Sequence, residues 1–110
     1  MNKNVIDLLK PLGYPVAYIT YSGTDDKYFV FNYITEEGLL FADDKAIYDT
    51  YPMQIHFFAP SSFNHLSIKK QVKDLLINNG FLYPTIRTLY EKETKYNHLV
   101  FETEKELYNG

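Results

Sequence analysis

The residues of this chain best suited to acid–base or metal chemistry near neutral pH are its histidines. They are His56, His65 and His98. No two of them stand at the HxxxH or HxH spacing of a metal-binding pair. His56 and His98 both fall in predicted strands, so they could meet across a sheet. A metal site there would also need carboxylates to converge, and surface or hydrogen-bonded histidines are the favoured interpretation.

Two pairs of adjacent acidic residues could bind a hard cation such as Ca²⁺. They are Asp25-Asp26 and Asp43-Asp44, and neither stands in an EF-hand loop pattern, which favours solvated turns. The chain lacks the G-x-S-x-G nucleophile elbow and both glycine-rich phosphate-binding motifs. Having no cysteine, it has neither a thiol nucleophile nor a disulfide. We therefore expect no enzymatic activity, no cofactor and no metal.

Composition indicates one domain over residues 1–110 with a substantial core. Hydrophobic residues make up 45% of the chain, and its 11 Tyr and 8 Phe favour strands and also suit interfaces. The net charge of −3 argues against a dedicated nucleic-acid-binding protein, which needs a cationic surface. Residues 1–13 are too short and too charged for a signal peptide or a membrane span, so we expect folding in a cytoplasm.

The stretch 51–81 organises the predicted fold. Its alternation over residues 51–59 predicts a strand ended by Pro60, with odd-numbered residues on one face and even-numbered residues on the other. An amphipathic helix should follow, because apolar residues then recur at helical spacing. Its N-cap would be Ser61, Ser62 or Asn64. Its core-facing stripe comprises Ile68, Val72, Leu75 and Leu76, and Gly80 followed by Phe81 should end it.

The remaining segments predict a short helix through Leu9 and two β-hairpins, with residues 104–110 fraying. We therefore expect an α+β fold: a mostly antiparallel sheet of about five strands with two helices packed on one face. Helices on one face would leave aromatic residues of the other face exposed as an interaction surface, unless they are ordinary core and scattered surface tyrosines. In the first hairpin, one face would carry Tyr18 and Tyr28, and the other Tyr21, Phe29, Phe31 and Tyr33. The hairpin strands would span 16–22, 27–35, 85–91 and 96–103.

A series of short segments between residues 15 and 101 resembles the tail-completion, or tail-terminator, proteins of long-tailed bacteriophages. The resemblance rests on the order and spacing of these segments together. They are PVAY at 15–18, YFVFNY at 28–33, ADDK at 42–45, QIHFF at 54–58, the helix 68–76 leading to NGF at 79–81, and YNHLVF at 96–101.

The resemblance implies a structural virion protein and not an enzyme. Such proteins form a ring, usually of six subunits, that caps the head-proximal end of the tail tube. The ring stops tube growth and joins the tube to the head connector, and DNA passes through its lumen. The implied partners are further copies of this chain, the tail tube protein and a head completion protein. An acidic chain fits this role, because it would not grip the passing DNA.

The segment 36–50 is the least regular part of the chain, and it is long for a connection without structure of its own. We expect this segment and the turn 22–27 to contact neighbouring subunits or the tube. The predicted interface residues are Asp25, Asp26, Leu39, Leu40, Phe41, Asp43, Asp44, Lys45 and Tyr48.

Three alternatives remain open. The first is another head–tail joining or minor tail protein. The second is a small ligand-binding or enzymatic α+β domain, which would need a pocket where His56, His98 and a carboxylate converge. The third is a host regulatory or interaction module.

Overall fold

The computed structural model describes the backbone of residues 2–34 and 48–108, and the side chains of residues 3–34 and 52–105. This part of the chain contains two α-helices, one turn of 3-10 helix and five strands, so the predicted α+β class is confirmed. The elements are α1 (Asn2–Leu9), the 3-10 turn (Lys10–Leu12), β1 (Val16–Tyr18), β2 (Tyr28–Tyr33), β3 (Tyr48–Pro60), α2 (His65–Asn78), β4 (Thr85–Glu91) and β5 (Tyr96–Tyr108). Within it, no helix is both long and apolar enough to cross a membrane.

The five strands form one sheet in the order β1-β2-β3-β5-β4. Strand β3 is central, and its Ile55 lies opposite Phe31 of β2 and Phe101 of β5. All pairings are antiparallel except that of β1 with β2. The expected mostly antiparallel sheet is therefore confirmed.

The core lies between one face of this sheet and the two helices. Because side chains alternate along a strand, every second residue of β2, of 53–59 in β3 and of 99–103 in β5 faces the helices. The helical stripe of α2 is buried as predicted, except that Leu75 is only half-buried. The buried apolar residues of this core are Val5, Leu9, Phe29, Phe31, Met53, Ile55, Phe57, Ala59, Ile68, Val72, Leu76, Phe81, Leu99 and Phe101.

Local signals set both ends of α2. At its start, the side-chain oxygen of Asn64 accepts a hydrogen bond from the backbone N–H of Ser67 at 3.3 Å. At its end, Gly80 has φ of +89°, a conformation that glycine adopts without strain. The next residue, Phe81, donates its N–H to the carbonyl of Leu76 at 3.0 Å and is buried. Both predicted boundaries of the helix are thus confirmed.

Replacing the N-cap of α2 should destabilise the protein measurably. We expect Asn64→Ala to lower the free energy of unfolding by about 1 kcal/mol, because a backbone N–H of the first turn loses its acceptor. The matched control is Ser62→Ala, an exposed neighbour that does not cap the helix, which should change it by less than about 0.5 kcal/mol. Urea unfolding followed by circular dichroism measures both values. Equal losses would contradict the assignment of the cap.

The prediction that residues 16–22 and 27–35 form a hairpin is wrong. Strand β1 runs parallel to β2, with Ile19 N–H bonded to the Phe31 carbonyl and Phe29 N–H to the Pro15 carbonyl, both at 2.8 Å. Strand β1 ends at Tyr18, and Ile19 takes φ of 70°, outside the extended region. A parallel pairing requires the chain to run back along the length of β1 before β2 begins. Because β1 is so short, this return covers only roughly 10 Å. A parallel pairing is therefore reached without a crossover helix.

This pairing also corrects the predicted faces of two tyrosines. Tyr18 lies opposite Phe31 on the helix side, and its ring is 5.3 Å from the ring of Phe31. Tyr21 lies beyond the end of β1 and stacks on Tyr28, with ring centroids 4.4 Å apart. A face assignment by alternation fails here because the strand stops before Tyr21.

Strands β3 and β5 are both longer than predicted. They pair from Pro60 and Tyr96 as far as Tyr48 and Tyr108, so residues 104–108 do not fray as expected. The polar side chains of these residues do not prevent strand pairing, because the hydrogen bonds between paired strands are made by backbone groups. Neither β2 nor β4 pairs with the last part of these strands. Among the described residues, 48–52 of β3 and 104–108 of β5 therefore form a two-stranded extension of the sheet, here called the ribbon.

Candidate functional site

The face of the sheet away from the helices carries a line of stacked rings. Tyr28, Phe58 and His98 lie side by side on β2, β3 and β5, and Tyr21 extends the line at one end. The centroids of successive rings are 4.4, 5.0 and 4.2 Å apart, and their planes are inclined by 23°, 22° and 19°. These spacings are those of offset-stacked aromatic pairs. We call Tyr21, Tyr28, Phe58 and His98 the aromatic row.

His56 and His98 meet across β3 and β5, as their strand positions allowed. Nδ1 of His56 is 2.7 Å from Nε2 of His98, and Nε2 of His56 is 2.9 Å from the side-chain oxygen of Asn32. With the amide oxygen as acceptor, Nε2 of His56 carries the hydrogen, and its Nδ1 then accepts from Nε2–H of His98. This chain of hydrogen bonds needs His56 in its neutral form, because its Nδ1 must accept.

The electrostatics of the pair agree with this assignment. Burial, together with His98 and Arg87, lowers the pKa of His56 to about 4, and Glu102 acts in the opposite direction. Burial also lowers the pKa of His98, although Glu91 opposes the shift. The Glu91 carboxylate is 3.9 Å from Nδ1 of His98, too far for a hydrogen bond. Both histidines are therefore neutral at pH 7.

The histidine pair is not arranged to bind a metal. A zinc ion lies about 2.0–2.1 Å from each imidazole nitrogen, whereas the two facing nitrogens, 2.7 Å apart, share a hydrogen. In the part of the chain that the structure describes, no three His, Asp or Glu side chains are grouped to hold a metal. Next to the pair, the Glu102 carboxylate accepts from Gln54 at 2.7 Å and from Arg87 at 2.8 Å. Gln54, Glu102 and Arg87 thus form a second hydrogen-bonded group across the sheet, beside the histidine pair.

A cavity of about 370 Å³ lies at the Tyr21 end of the aromatic row. The turn after Tyr21 closes over its ring: Asp25 donates its backbone N–H to the Tyr21 hydroxyl at 3.1 Å, and Gly23 lies against the ring with no room for a Cβ. On the opposite side, Glu91 accepts a hydrogen bond from Thr94 at 3.2 Å. The lining residues are Tyr21, Gly23, Thr24, Asp25, Tyr28, Phe58, Glu91, Thr94 and Tyr96.

A second surface feature lies at the base of the ribbon. Ile34 donates its N–H to the Pro52 carbonyl on one side of the ribbon, and Leu82 donates to the Glu104 carbonyl on the other, both at 3.0 Å. Ile34, Leu82 and Tyr83 are 45%, 51% and 69% exposed. Together with Pro52 and Glu104 they line a groove of about 260 Å³. We call it the shoulder groove.

The predicted interface residues fall into three groups. Asp25 and Asp26 lie on an exposed turn, where Asp25 lines the cavity and Asp26 pairs with Lys27 at 3.3 Å. Tyr48 is the first residue of β3 and lies opposite Tyr108 in the ribbon. The others lie outside the described residues: Leu39, Leu40, Phe41, Asp43, Asp44 and Lys45.

Apart from Asp25, sequence reasoning missed the residues that line the cavity and the shoulder groove. The alternation of β2 and β3 put Tyr28 and Phe58 on strand faces, but no local signal predicted that Tyr21 and Glu91 would meet them. Comparisons with known proteins assign no role to either feature, because the chain matches no protein-family model and no curated protein.

Proposed function

We propose that this chain is a structural assembly protein of the tail-terminator type. It forms a closed ring, usually of six subunits, that caps the tail tube of a long-tailed bacteriophage and joins it to the head connector. The resemblance between residues 15 and 101 supports this proposal, because proteins of this type share an α+β fold with a central sheet. The observation that carries it is the exposed apolar shoulder groove beside the ribbon.

A ribbon and a groove suit the interface that a ring requires. A two-stranded ribbon is at best marginally stable in water by itself, so contact with another subunit would stabilise it. Covering Ile34, Leu82 and Tyr83 would also remove exposed apolar surface from water. A closed ring needs two different surfaces on each subunit, and the ribbon of one copy seated in the shoulder groove of the next provides them.

The partners follow from this role. They are copies of this chain, the tail tube protein and a head completion protein, at the head-proximal end of the tail in the virion. DNA only passes through the lumen, and a chain with net charge −3 favours its free passage. The interface predicted for residues 36–50 remains part of the proposal.

The main rival of a different class is a small ligand-binding or enzymatic domain. It would need His56, His98 and a carboxylate to converge on a substrate. His56 and His98 do meet, but their facing nitrogens bond to each other, and the second ring nitrogen of His56 bonds to Asn32. The pair is thus arranged as a neutral hydrogen-bonded unit, which favours a structural role for it over a catalytic one.

Oligomer size tests the proposal directly. We expect native mass spectrometry and light scattering of the purified protein to detect a ring of six subunits at high concentration. Leu82→Ser should raise the dissociation constant of each subunit contact about tenfold, because covering the exposed half of a leucine contributes about 1–1.5 kcal/mol. The matched control is Leu66→Ser on α2, where a leucine 76% exposed lies away from the groove.

Two outcomes would overturn the proposal. One is a strict monomer up to the highest soluble concentration, and the other is a ring that Leu66→Ser weakens as much as Leu82→Ser. A phage lacking the protein separates the tail terminator from the rival head–tail joining and minor tail proteins. Loss of a terminator should give overlong tail tubes, because the ring stops tube growth, whereas normal tube lengths would favour the rivals.

A further inference from the structure

We propose that the cavity at the Tyr21 end of the aromatic row binds a guanidinium group, the side chain of an arginine from a partner protein. This inference goes beyond the proposed function and does not depend on ring formation. It rests on three features of the cavity: its aromatic walls, its two carboxylates and the absence of a cation from its described lining.

Aromatic rings form much of the wall of the cavity. They come from Tyr21, Tyr28, Phe58 and Tyr96. Tyr21, Tyr28 and Phe58 are held by stacking on one another, so a ligand would meet rings that are already in position. The faces of such rings attract a cation, and a flat guanidinium stacks on them better than an ammonium does.

Two carboxylates complete the wall. Asp25 and Glu91 come from different parts of the chain and line the same cavity. Among the described residues no Lys or Arg lines it, and the nearby Lys27 pairs with Asp26 and lies over the ring of Phe63 instead. One carboxylate oxygen of Glu91 accepts a hydrogen bond from the Thr94 hydroxyl. The other carboxylate oxygen can accept a hydrogen bond from a ligand.

The surroundings of Tyr28 are consistent with a site for a cation. Burial raises the pKa of the Tyr28 phenol, and the neighbouring Tyr96, Glu91 and Tyr21 raise it further. Of these causes, the Glu91 carboxylate is the one that would also attract a positive group entering the cavity.

We assign the arginine to another protein. Arg87 is the single arginine of this chain, and its guanidinium already bonds to Glu102 at 2.8 Å. A second copy would present only this same, already paired arginine. The cavity also opens to solvent, so an extended segment could insert one side chain and leave its backbone outside. A partner with an exposed arginine fits these conditions.

Short peptides test the proposal on the intact protein. We expect acetyl-Gly-Arg-Gly-amide to bind with a dissociation constant of about 1 mM and to shift the ring resonances of Tyr21, Tyr28 and Phe58 in NMR titrations. The citrulline analogue, which has the same shape without the charge, should bind at least about tenfold more weakly. The peptide should also bind more tightly than methylguanidinium, because its flanking atoms contact the rim.

The variants locate the binding. Glu91→Gln should weaken the arginine peptide about five- to tenfold, because one carboxylate of the cavity loses its charge. Glu93→Gln makes the same charge change two residues away, at an exposed position outside the cavity, and should weaken it by less than about twofold. Tyr28→Leu should weaken the peptide as well, because it removes one aromatic wall.

Several results would overturn the proposal. Equal binding of the citrulline peptide would show that charge is not recognised, and equal effects of Glu91→Gln and Glu93→Gln would show attraction by the net charge only. A lysine peptide that binds as tightly would remove the preference for guanidinium. Methylguanidinium binding as tightly as the peptide would identify a free small cation, not a partner protein, as the ligand. Circular dichroism of each variant verifies that it is folded.

Discussion

Replacing Phe57 by alanine should lower the free energy of unfolding by about 3–5 kcal/mol. Phe57 is fully buried on the helix side of β3. Its ring centroid lies 4.7 Å from that of Phe29, 5.3 Å from that of Tyr14 and 5.6 Å from that of Phe63. The substitution removes a large apolar group and leaves a cavity among rings from three separate segments. Because small domains have stabilities of about 5–15 kcal/mol, such a loss brings the protein close to unfolding.

The next residue provides a matched control. Phe58 is the same size and stands on the same strand, but it lies on the opposite face and is only half-buried. Phe58→Ala should cost about 1–2 kcal/mol, chiefly through its stacking with Tyr28 and His98. Urea unfolding of the two variants at pH 7.5 measures the difference. Similar losses would mean that the two faces of β3 are not buried to different extents.

The stability of the protein should fall as the pH is lowered from 7.5 to 5, because of the histidine pair. A histidine with a pKa of about 6.5 in the unfolded chain and a lower pKa in the folded chain binds more protons when unfolded. Its contribution is complete above pH 6.5 and is lost as the pH falls toward the folded value, which for His56 is about 4. Allowing for solvent screening of this half-buried group, we expect His56 to contribute about 1 kcal/mol of the loss. His98 adds to it in the same direction.

Removing the pair tests its share of the pH dependence. The double variant His56→Gln/His98→Gln should show a smaller difference between its free energies of unfolding at pH 7.5 and pH 5 than the unsubstituted protein. Carboxylates contribute alike to both proteins, so their effect cancels in the comparison. The single variant His56→Gln should lie between the two. If the double variant shows the same difference between the two pH values as the unsubstituted protein, the assignment of a neutral hydrogen-bonded pair is contradicted. An unsubstituted protein that is more stable at pH 5 than at pH 7.5 would contradict it too.

The sequence by itself determined those elements whose signals are local. Helix α2 has its cap at Asn64 and its left-handed stop at Gly80, both within a few residues of the ends they set. The alternation of residues 51–59 correctly predicted Phe57 and Phe58 on opposite faces of β3, because neighbouring side chains of a strand must point to opposite faces. The α+β class followed from the order of these elements.

Only the tertiary structure decided what depends on pairing between distant strands. Whether β1 lies parallel or antiparallel to β2 depends on the path of the connection, and both arrangements suit the same alternation. The register of β3 with β5 places His56 beside His98, and a shift by one residue would have put them on opposite faces. The cavity needs Tyr21, Tyr28 and Glu91 from three separate segments.

Local features could be predicted from the sequence and strand pairing could not, for one physical reason. A helix cap or a strand face is set by backbone geometry within a few residues, so residue types at fixed spacing are enough to predict it. A site on a sheet is set by register, and register depends on the packing energy of the whole core. The chain thus predicted that His56 and His98 could meet, and the packing of β3 against β5 determined that they do.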